Sequence, residues 1–235
     1  MRMKTHFSHI HFESAVTLFE DAERLEQDYK DDDLDSRFNG IADARTAHDG
    51  YVVSSIVSSM CFLDSVVNEF YDELKSSADA WKAGEEPFLN LNSEEEVYNL
   101  IVRLQDVERR DFEYRPTLKK YQLLLTYVGK DIYDKGRSLY QSADTVSRVR
   151  NNLVHFEPSW HSSEEPLDLP GNLPTDLNRN PFYEVENKNP VSYLSADVAR
   201  WCISATGKFV IDFYDRMGMG DSAIVYNVNR TIESI

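Results

Sequence analysis

The sequence predicts an all-α fold, a bundle of about five or six helices with a proline-rich irregular insertion before the last long helix. Three observations predict it. Apolar residues recur at steps of three and four along several long segments, which is the helical period. The chain has only 9 glycines and 8 prolines in 235 residues, fewer than the many tight turns of an all-β chain need. A composition that is 41% hydrophobic and 12% aromatic supports a packed core rather than disorder.

The first two predicted helices carry the clearest apolar patterns. The first runs from about His11 to Tyr29 and ends at an acidic segment, residues 31–35, which we expect to be a solvated loop. The second runs from about Thr46 to Trp81 and is predicted to be the central core helix. Its apolar stripe consists of Val53, Ile56, Met60, Leu63, Val67, Phe70 and Leu74. Its other flank has small residues that would let a neighbouring helix approach closely: Ser54, Ser58, Cys61 and Ser65.

Capping residues predict the next two helices. Ser93 followed by Glu96 is a capping box and predicts a third helix that continues through Leu104. Pro116 suits the first turn of a fourth helix, which closes at Gly129.

The last part of the chain is divided by prolines. A fifth helix is predicted from Ser138 to Phe156, and residues 158–192 hold six of the eight prolines. Ser195 then caps a long sixth helix that ends near Gly218. We therefore expect one helical domain over residues 1–217, interrupted by the insertion at 158–192 and followed by a C-terminal tail at 218–235.

The overall charge limits the classes of partner. A net charge of −16 disfavours general DNA binding and a role at the membrane surface. Between Arg103 and Arg150, however, the chain carries 11 basic and 7 acidic residues, whereas the remainder carries 14 basic and 34 acidic ones. A locally basic middle is compatible with a small phosphate-binding site.

The sequence also predicts the compartment. The longest apolar run, from Tyr51 to Leu63, contains four serines and is too short for a transmembrane helix. The N-terminus lacks the apolar core of a secretion signal. Cys61 and Cys202 fall in apolar helical patterns and are expected to be buried thiols in a reducing compartment. These features predict a cytoplasmic protein.

The fifth predicted helix carries the candidate catalytic residues. Arg150, Asn151 and His155 are the groups needed to cleave RNA without a metal. An arginine can hold a phosphodiester and stabilise its transition state, a histidine can transfer protons, and an amide can orient either partner. Arg148 on the same helix and Trp160 beyond it are candidate substrate-binding residues.

Helical projection separates two of these residues. Val146, Val149, Leu153 and Phe156 define the buried face, and Asp144, Arg148, Asn151 and His155 form a polar stripe almost opposite. Arg150 lies on the flank, about 140° from His155 in a regular helix. The two side chains converge only if the last turn unwinds before Pro158 or if two copies of the helix combine their residues. Leu139, Ala143 and Val154 lie beside Arg150 and could form the apolar part of such a dimer contact.

The segment Arg150-Asn151-x-x-x-His155, on a late helix of an all-α chain, resembles the arginine–polar–spacer–histidine signature of the HEPN superfamily (higher eukaryotes and prokaryotes nucleotide-binding domains). The resemblance implies a dimeric helical domain that often acts as a metal-independent endoribonuclease, leaving 2′,3′-cyclic phosphate and 5′-hydroxyl ends. It implies that Arg150, Asn151 and His155 are catalytic and that no cofactor is needed. Such domains recur in toxin–antitoxin and antiphage systems, where a cognate antitoxin or defence-complex partner would be expected. The tyrosine that some toxin members carry two positions after the histidine is Glu157 here.

Other interpretations of these residues remain open. Arg150 could cap helix carbonyls or pair with a carboxylate, with His155 stabilised by the helix dipole. The helix would then serve a noncatalytic module that dimerises or docks a partner protein. His6, His9 and His11 could bind a metal, although a frayed leader is the simpler interpretation.

Two further groups of residues each have two possible roles. Asp64 and Glu69 could solvate the outside of the second helix or support the site from a neighbouring helix. Trp160, Phe182 and Tyr183 could stack RNA bases or fasten the insertion to the bundle.

Overall fold

The computed structural model describes residues 6–84, 112–155, 173–183 and 190–235, and within these ranges every regular element is helical. The all-α prediction is confirmed at this level. The described residues form six α-helices and one short 3-10 helix at Pro190–Tyr193. The α-helices are α1 (Ser8–Lys30), α2 (Ile41–Lys82), α3 (Thr117–Tyr127), α4 (Ser138–Val154), α5 (Ala196–Arg216) and α6 (Ala223–Ser234).

Five of these helices match predicted ones to within a few residues. Ser195 is the N-cap of α5, as predicted, and its side chain accepts a hydrogen bond from the backbone N–H of Val198 at 3.3 Å. The predicted third helix, which begins at Ser93, lies outside the described residues. So does most of the predicted insertion, of which 173–183 and 190–192 are described.

Helix α2 is the centre of the bundle and contacts α1, α3, α4 and α5. Every residue of its predicted apolar stripe is buried except Val53, which is half-buried. Ser55 and Ser59 are buried beside this stripe, and the Ser55 hydroxyl donates to the Ala15 carbonyl of α1 at 2.7 Å. Hydroxyls that bond to backbone carbonyls allow close contact between α1 and α2 without leaving a polar group unpaired.

The length and composition of α2 would also permit it to cross a membrane. An 18-residue window within Ile41–Ala80 has a mean hydropathy of 1.5, and half of that window is buried. The core helix of a soluble bundle has the same properties, so this is weak evidence for a membrane span.

Helix α1 begins on a cap supplied by α2. The Glu69 carboxylate accepts hydrogen bonds from the backbone N–H groups of Phe7 and Ser8 at 2.6 and 2.9 Å and from the Ser8 hydroxyl at 2.6 Å. His6 lies 3.3 Å from the same carboxylate. The expectation of a frayed leader is therefore wrong from His6 onward, and Glu69 anchors α1 rather than the candidate site.

A buried polar cluster joins α1, α2 and the 173–183 segment. His48 is fully buried, with Nε2 2.9 Å from Glu26 and Nδ1 3.3 Å from Asp49. Asn180 donates to Asp49 at 2.9 Å, and the Tyr183 hydroxyl donates to it at 2.7 Å. Burial lowers the pKa of His48, but the hydrogen bonds and negative charges of Asp49 and Glu26 outweigh it and raise that pKa above 6.5.

The aromatic residues of this segment fasten it to the bundle. Phe182 is buried, and its ring centroid lies 4.4 Å from that of Tyr29 and 5.1 Å from that of His48. Tyr183 is bonded to Asp49, as described above. Of the two predicted roles, Phe182 and Tyr183 therefore have the structural one, which is to fasten the insertion to the bundle. Trp160 lies outside the described residues.

The predicted C-terminal tail contains α6, a helix that the sequence analysis did not identify. Val225 and Val228 are buried against α5. Gly207 of α5 makes this contact possible, since a Cβ added there would lie 2.5 Å from Ile232 Cδ1 and 2.9 Å from Val228 Cγ1.

Candidate active site

The faces of α4 largely follow the helical projection. Val146 and Val149 are buried in the core, while Leu153 is half-buried. Arg148, Asn151 and His155 are exposed on the other side. Arg148 Nη2 lies 2.7 Å from Asp144 Oδ2, so its guanidinium is already held in an i,i+4 ion pair. Phe156 lies outside the described residues.

Arg150 and Asn151 are bonded to each other. Arg150 Nη1 donates to Asn151 Oδ1 at 3.0 Å, while Arg150 Nε is buried with no hydrogen-bond partner. Among the described residues no carboxylate lies within ion-pair distance of Arg150, and no helix carbonyl accepts from it. Within these described ranges, Arg150 therefore has neither the capping nor the ion-pairing role that was the alternative expectation.

His155 terminates α4 as its C-cap residue. Its backbone N–H donates to the Asn151 carbonyl at 2.9 Å, with φ −111° and ψ 34°, and its side chain is exposed. The helix therefore stays regular up to Val154 and does not unwind early enough to bring His155 toward Arg150.

Arg150 and Asn151 line a cleft of about 450 Å³. Its walls come from the start of α1, the middle of α2, the start of α3 and the second half of α4. His155 does not line it. Within the described part of one protomer, the cleft thus brings together two of the three predicted catalytic residues and leaves the third outside.

An ion pair between buried Lys120 and the more exposed Asp64 forms part of the cleft wall. The Lys120 side chain is only 3% exposed, and its Nζ lies 3.0 Å from Asp64 Oδ1 and 3.0 Å from Asn68 Oδ1. The Thr117 hydroxyl also donates to Asp64 Oδ1, at 2.9 Å. Asp64 therefore supports the cleft from α2 by holding the first turn of α3 in place.

Two of the four residues on the small-residue flank of α2 line the cleft. Cys61 and Ser65 are both on the wall, and Ser54 is exposed to solvent. Cys61 is only half-buried, in contrast to the prediction, whereas Cys202 is fully buried. Burial raises the pKa of the Cys61 thiol, and the nearby positive charge of Arg150 opposes that shift.

The apolar dimer face predicted beside Arg150 is wrong in part. Ala143 is fully buried inside the protomer, and half-buried Leu139 packs against the same core. Val154 is 48% exposed and is the most exposed of the three.

Three basic residues of the cleft were not among the predicted site residues: His11, Arg115 and Lys120. His11 lies in α1, Arg115 precedes α3 and Lys120 lies in α3, and no sequence spacing connects them to Arg150. Within the described ranges, no group of three or more His, Cys, Asp or Glu residues is arranged to hold a metal ion.

Comparison of the chain with models of known protein families, with curated proteins and with solved structures finds no match.

Proposed function

We propose that this protein is a metal-independent endoribonuclease of the HEPN type, which cleaves RNA to 2′,3′-cyclic phosphate and 5′-hydroxyl ends. The observation that carries the proposal is the Arg150 guanidinium, which lines a cleft, has no carboxylate partner among the described residues and is hydrogen-bonded to Asn151. An arginine in this state can bind a phosphodiester and stabilise the extra charge of its transition state.

The three residues have distinct roles in this proposal. Arg150 binds the scissile phosphate, and Asn151 fixes the orientation of the guanidinium through the 3.0 Å hydrogen bond. His155 transfers a proton, either from the attacking 2′-hydroxyl or to the leaving 5′-oxygen. Arg148 and Trp160 are candidates for binding neighbouring parts of the RNA.

The proposal includes a homodimer, because His155 lies outside the cleft that holds Arg150. A second copy related by a two-fold axis would bring its own α4 alongside and could place its His155 near the first copy's Arg150. Exposed Val154, adjacent to His155, would be an apolar contact in that interface. A cytoplasmic toxin or antiphage role, with a cognate antitoxin or a defence-complex partner, is the biological setting that the family resemblance suggests.

Substitution of Arg150 tests this function. We expect Arg150→Ala to reduce RNA cleavage by about 100-fold or more, since a transition-state donor is lost. Arg137→Ala is the matched control, because Arg137 is an exposed residue just before α4 and does not line the cleft. Circular dichroism should show equal helix content in both variants. Equal cleavage by wild type and Arg150→Ala would refute the assignment.

The alternative is a noncatalytic module that docks a partner protein through the end of α4. The exposed pair Val154 and His155 is the feature that favours it. Partner binding that survives the double substitution Arg150→Ala and His155→Ala, together with no cleavage by wild type, would support this alternative.

A further inference from the structure

We propose that His11 is a second proton-transfer residue of the RNA-cleaving site and that Arg115 is a second phosphate-binding cation. This inference rests on the proposed endoribonuclease function. His11 and Arg115 line the same cleft as Arg150, from the start of α1 and from the residue before Pro116.

The position of His11 is fixed by the cap on α1. Because Glu69 binds the backbone of Phe7 and Ser8, the first turn of α1 is anchored to α2. The backbone N–H of His11 donates to the Phe7 carbonyl at 3.0 Å, which continues that turn. The half-buried His11 imidazole is therefore held on the wall of the cleft and not on a frayed end.

The charges of the cleft favour an anion. Its lining includes three cationic side chains, Arg115, Lys120 and Arg150, against two acidic ones, Asp64 and Glu113. Lys120 and Asp64 neutralise each other through their 3.0 Å contact. No carboxylate of the described residues forms an ion pair with Arg115. On a chain with a net charge of −16, two guanidiniums in one cleft with no ion-pair partner among the described residues are a local exception.

The start of α3 adds to this preference. Pro116 and Thr117 line the cleft, so the N-terminal end of an eleven-residue helix lies beside it. The first turn of α3 has no acidic residue of its own. Partial positive charge at a helix N-terminus favours a phosphate group.

The reaction itself requires two proton transfers. A bond forms between the 2′-oxygen and phosphorus as the bond between phosphorus and the 5′-oxygen breaks. One proton leaves the 2′-hydroxyl for a base, and one proton reaches the 5′-oxygen from an acid, so that no oxidant, reductant or metal is consumed. His155 can serve as one of these groups, and His11 is the histidine of the described residues that lies in the cleft with Arg150.

Cleavage of a single-stranded RNA by the full-length protein tests the role of His11. We expect His11→Ala to reduce the rate by about 100-fold or more, and free imidazole to restore part of it. His9→Ala, on the same turn of α1 but exposed and off the cleft, should cleave like wild type. If wild type cleaves and His11→Ala cleaves equally well, the inference fails and the endoribonuclease proposal stands. If wild type does not cleave, the proposed function fails and the role of His11 fails with it.

Binding of a fully 2′-O-methylated oligoribonucleotide tests Arg115 without any cleavage. We expect Arg115→Ala to weaken binding by about tenfold, while Arg137→Ala leaves it within about twofold. The bound oligonucleotide should also slow alkylation of Cys61, which lines the cleft, and fully buried Cys202 serves as an internal reference. Unchanged affinity of Arg115→Ala, or unchanged alkylation of Cys61, would overturn the assignment of the phosphate site. Protection by inorganic phosphate alone at the same concentration would indicate an anion site that does not require RNA, and would overturn the assignment of Arg115 to RNA binding.

Discussion

Replacing His48 with leucine tests the polar cluster that joins α1, α2 and the 173–183 segment. Leucine has a similar volume, so the change removes the polar contacts and leaves little cavity. Two carboxylates lose their contact with the imidazole, at 2.9 Å for Glu26 and 3.3 Å for Asp49. In the variant, Glu26 still accepts a hydrogen bond from the backbone N–H of Ala196 at 2.7 Å, and Asp49 still accepts one from the Tyr183 hydroxyl at 2.7 Å. We therefore expect the free energy of unfolding to fall by about 3 kcal/mol, the low end of the range for broken buried ion pairs.

The loss should depend on pH in a definite direction. The pKa of folded His48 is raised above its ordinary 6.5 by the two carboxylates. Its protonation thus contributes stability that is fully present below the unfolded pKa and is lost as pH rises through the folded pKa. The variant lacks this contribution, so the difference in unfolding free energy between wild type and His48→Leu should be larger at about pH 6 than at about pH 9.

Urea unfolding followed by circular dichroism measures both quantities. His9→Leu is the matched control, because His9 is exposed on α1 and the same substitution there should change stability by less than about 0.5 kcal/mol. A His48→Leu loss below about 1 kcal/mol, or a loss that grows as pH rises, would refute the reasoning.

Three further predictions concern packing and thiol chemistry. Gly207→Ala should destabilise the docking of α6 by about 1–3 kcal/mol, measured by hydrogen exchange of α6, whereas Gly50→Ala, where a Cβ meets nothing within 4 Å, should be neutral or stabilising. Tyr121→Phe should cost about 1 kcal/mol in urea unfolding, because its buried hydroxyl donates to a backbone carbonyl of α2 at 2.8 Å; no measurable change would contradict that contribution. Native alkylation should modify half-buried Cys61 well before Cys202, whose burial raises the thiol pKa; equal rates would contradict the described core.

The helices could be predicted from the sequence wherever apolar residues repeat at steps of three and four. The stripe from Ile56 to Leu74 is buried as expected, because a central helix needs one continuous apolar face. Helix α6 was missed although Ile224, Val225, Val228 and Ile232 follow the same spacing. A short segment beyond two glycines gives only three turns of pattern, and its contact with α5 depends on the absence of a side chain at Gly207.

The site was predictable only along one helix. The projection of α4 separated Arg150 from His155. In the structure Arg150 lines the cleft and His155 does not. His11 and Arg115 reach the same cleft through the packing of α1 and α3 against α2, which no local spacing encodes. The predicted dimer face was wrong in part for a related reason, since Ala143 beside Arg150 is buried in the protomer's own core.

The most direct test of the central claim is incubation of the purified protein with total tRNA and a single-stranded RNA in EDTA, beside His155→Ala, with end-group analysis of the products. We predict cleavage by wild type alone, with 2′,3′-cyclic phosphate and 5′-hydroxyl ends. Cleavage that EDTA abolishes, or that His155→Ala retains in full, would contradict the proposed mechanism.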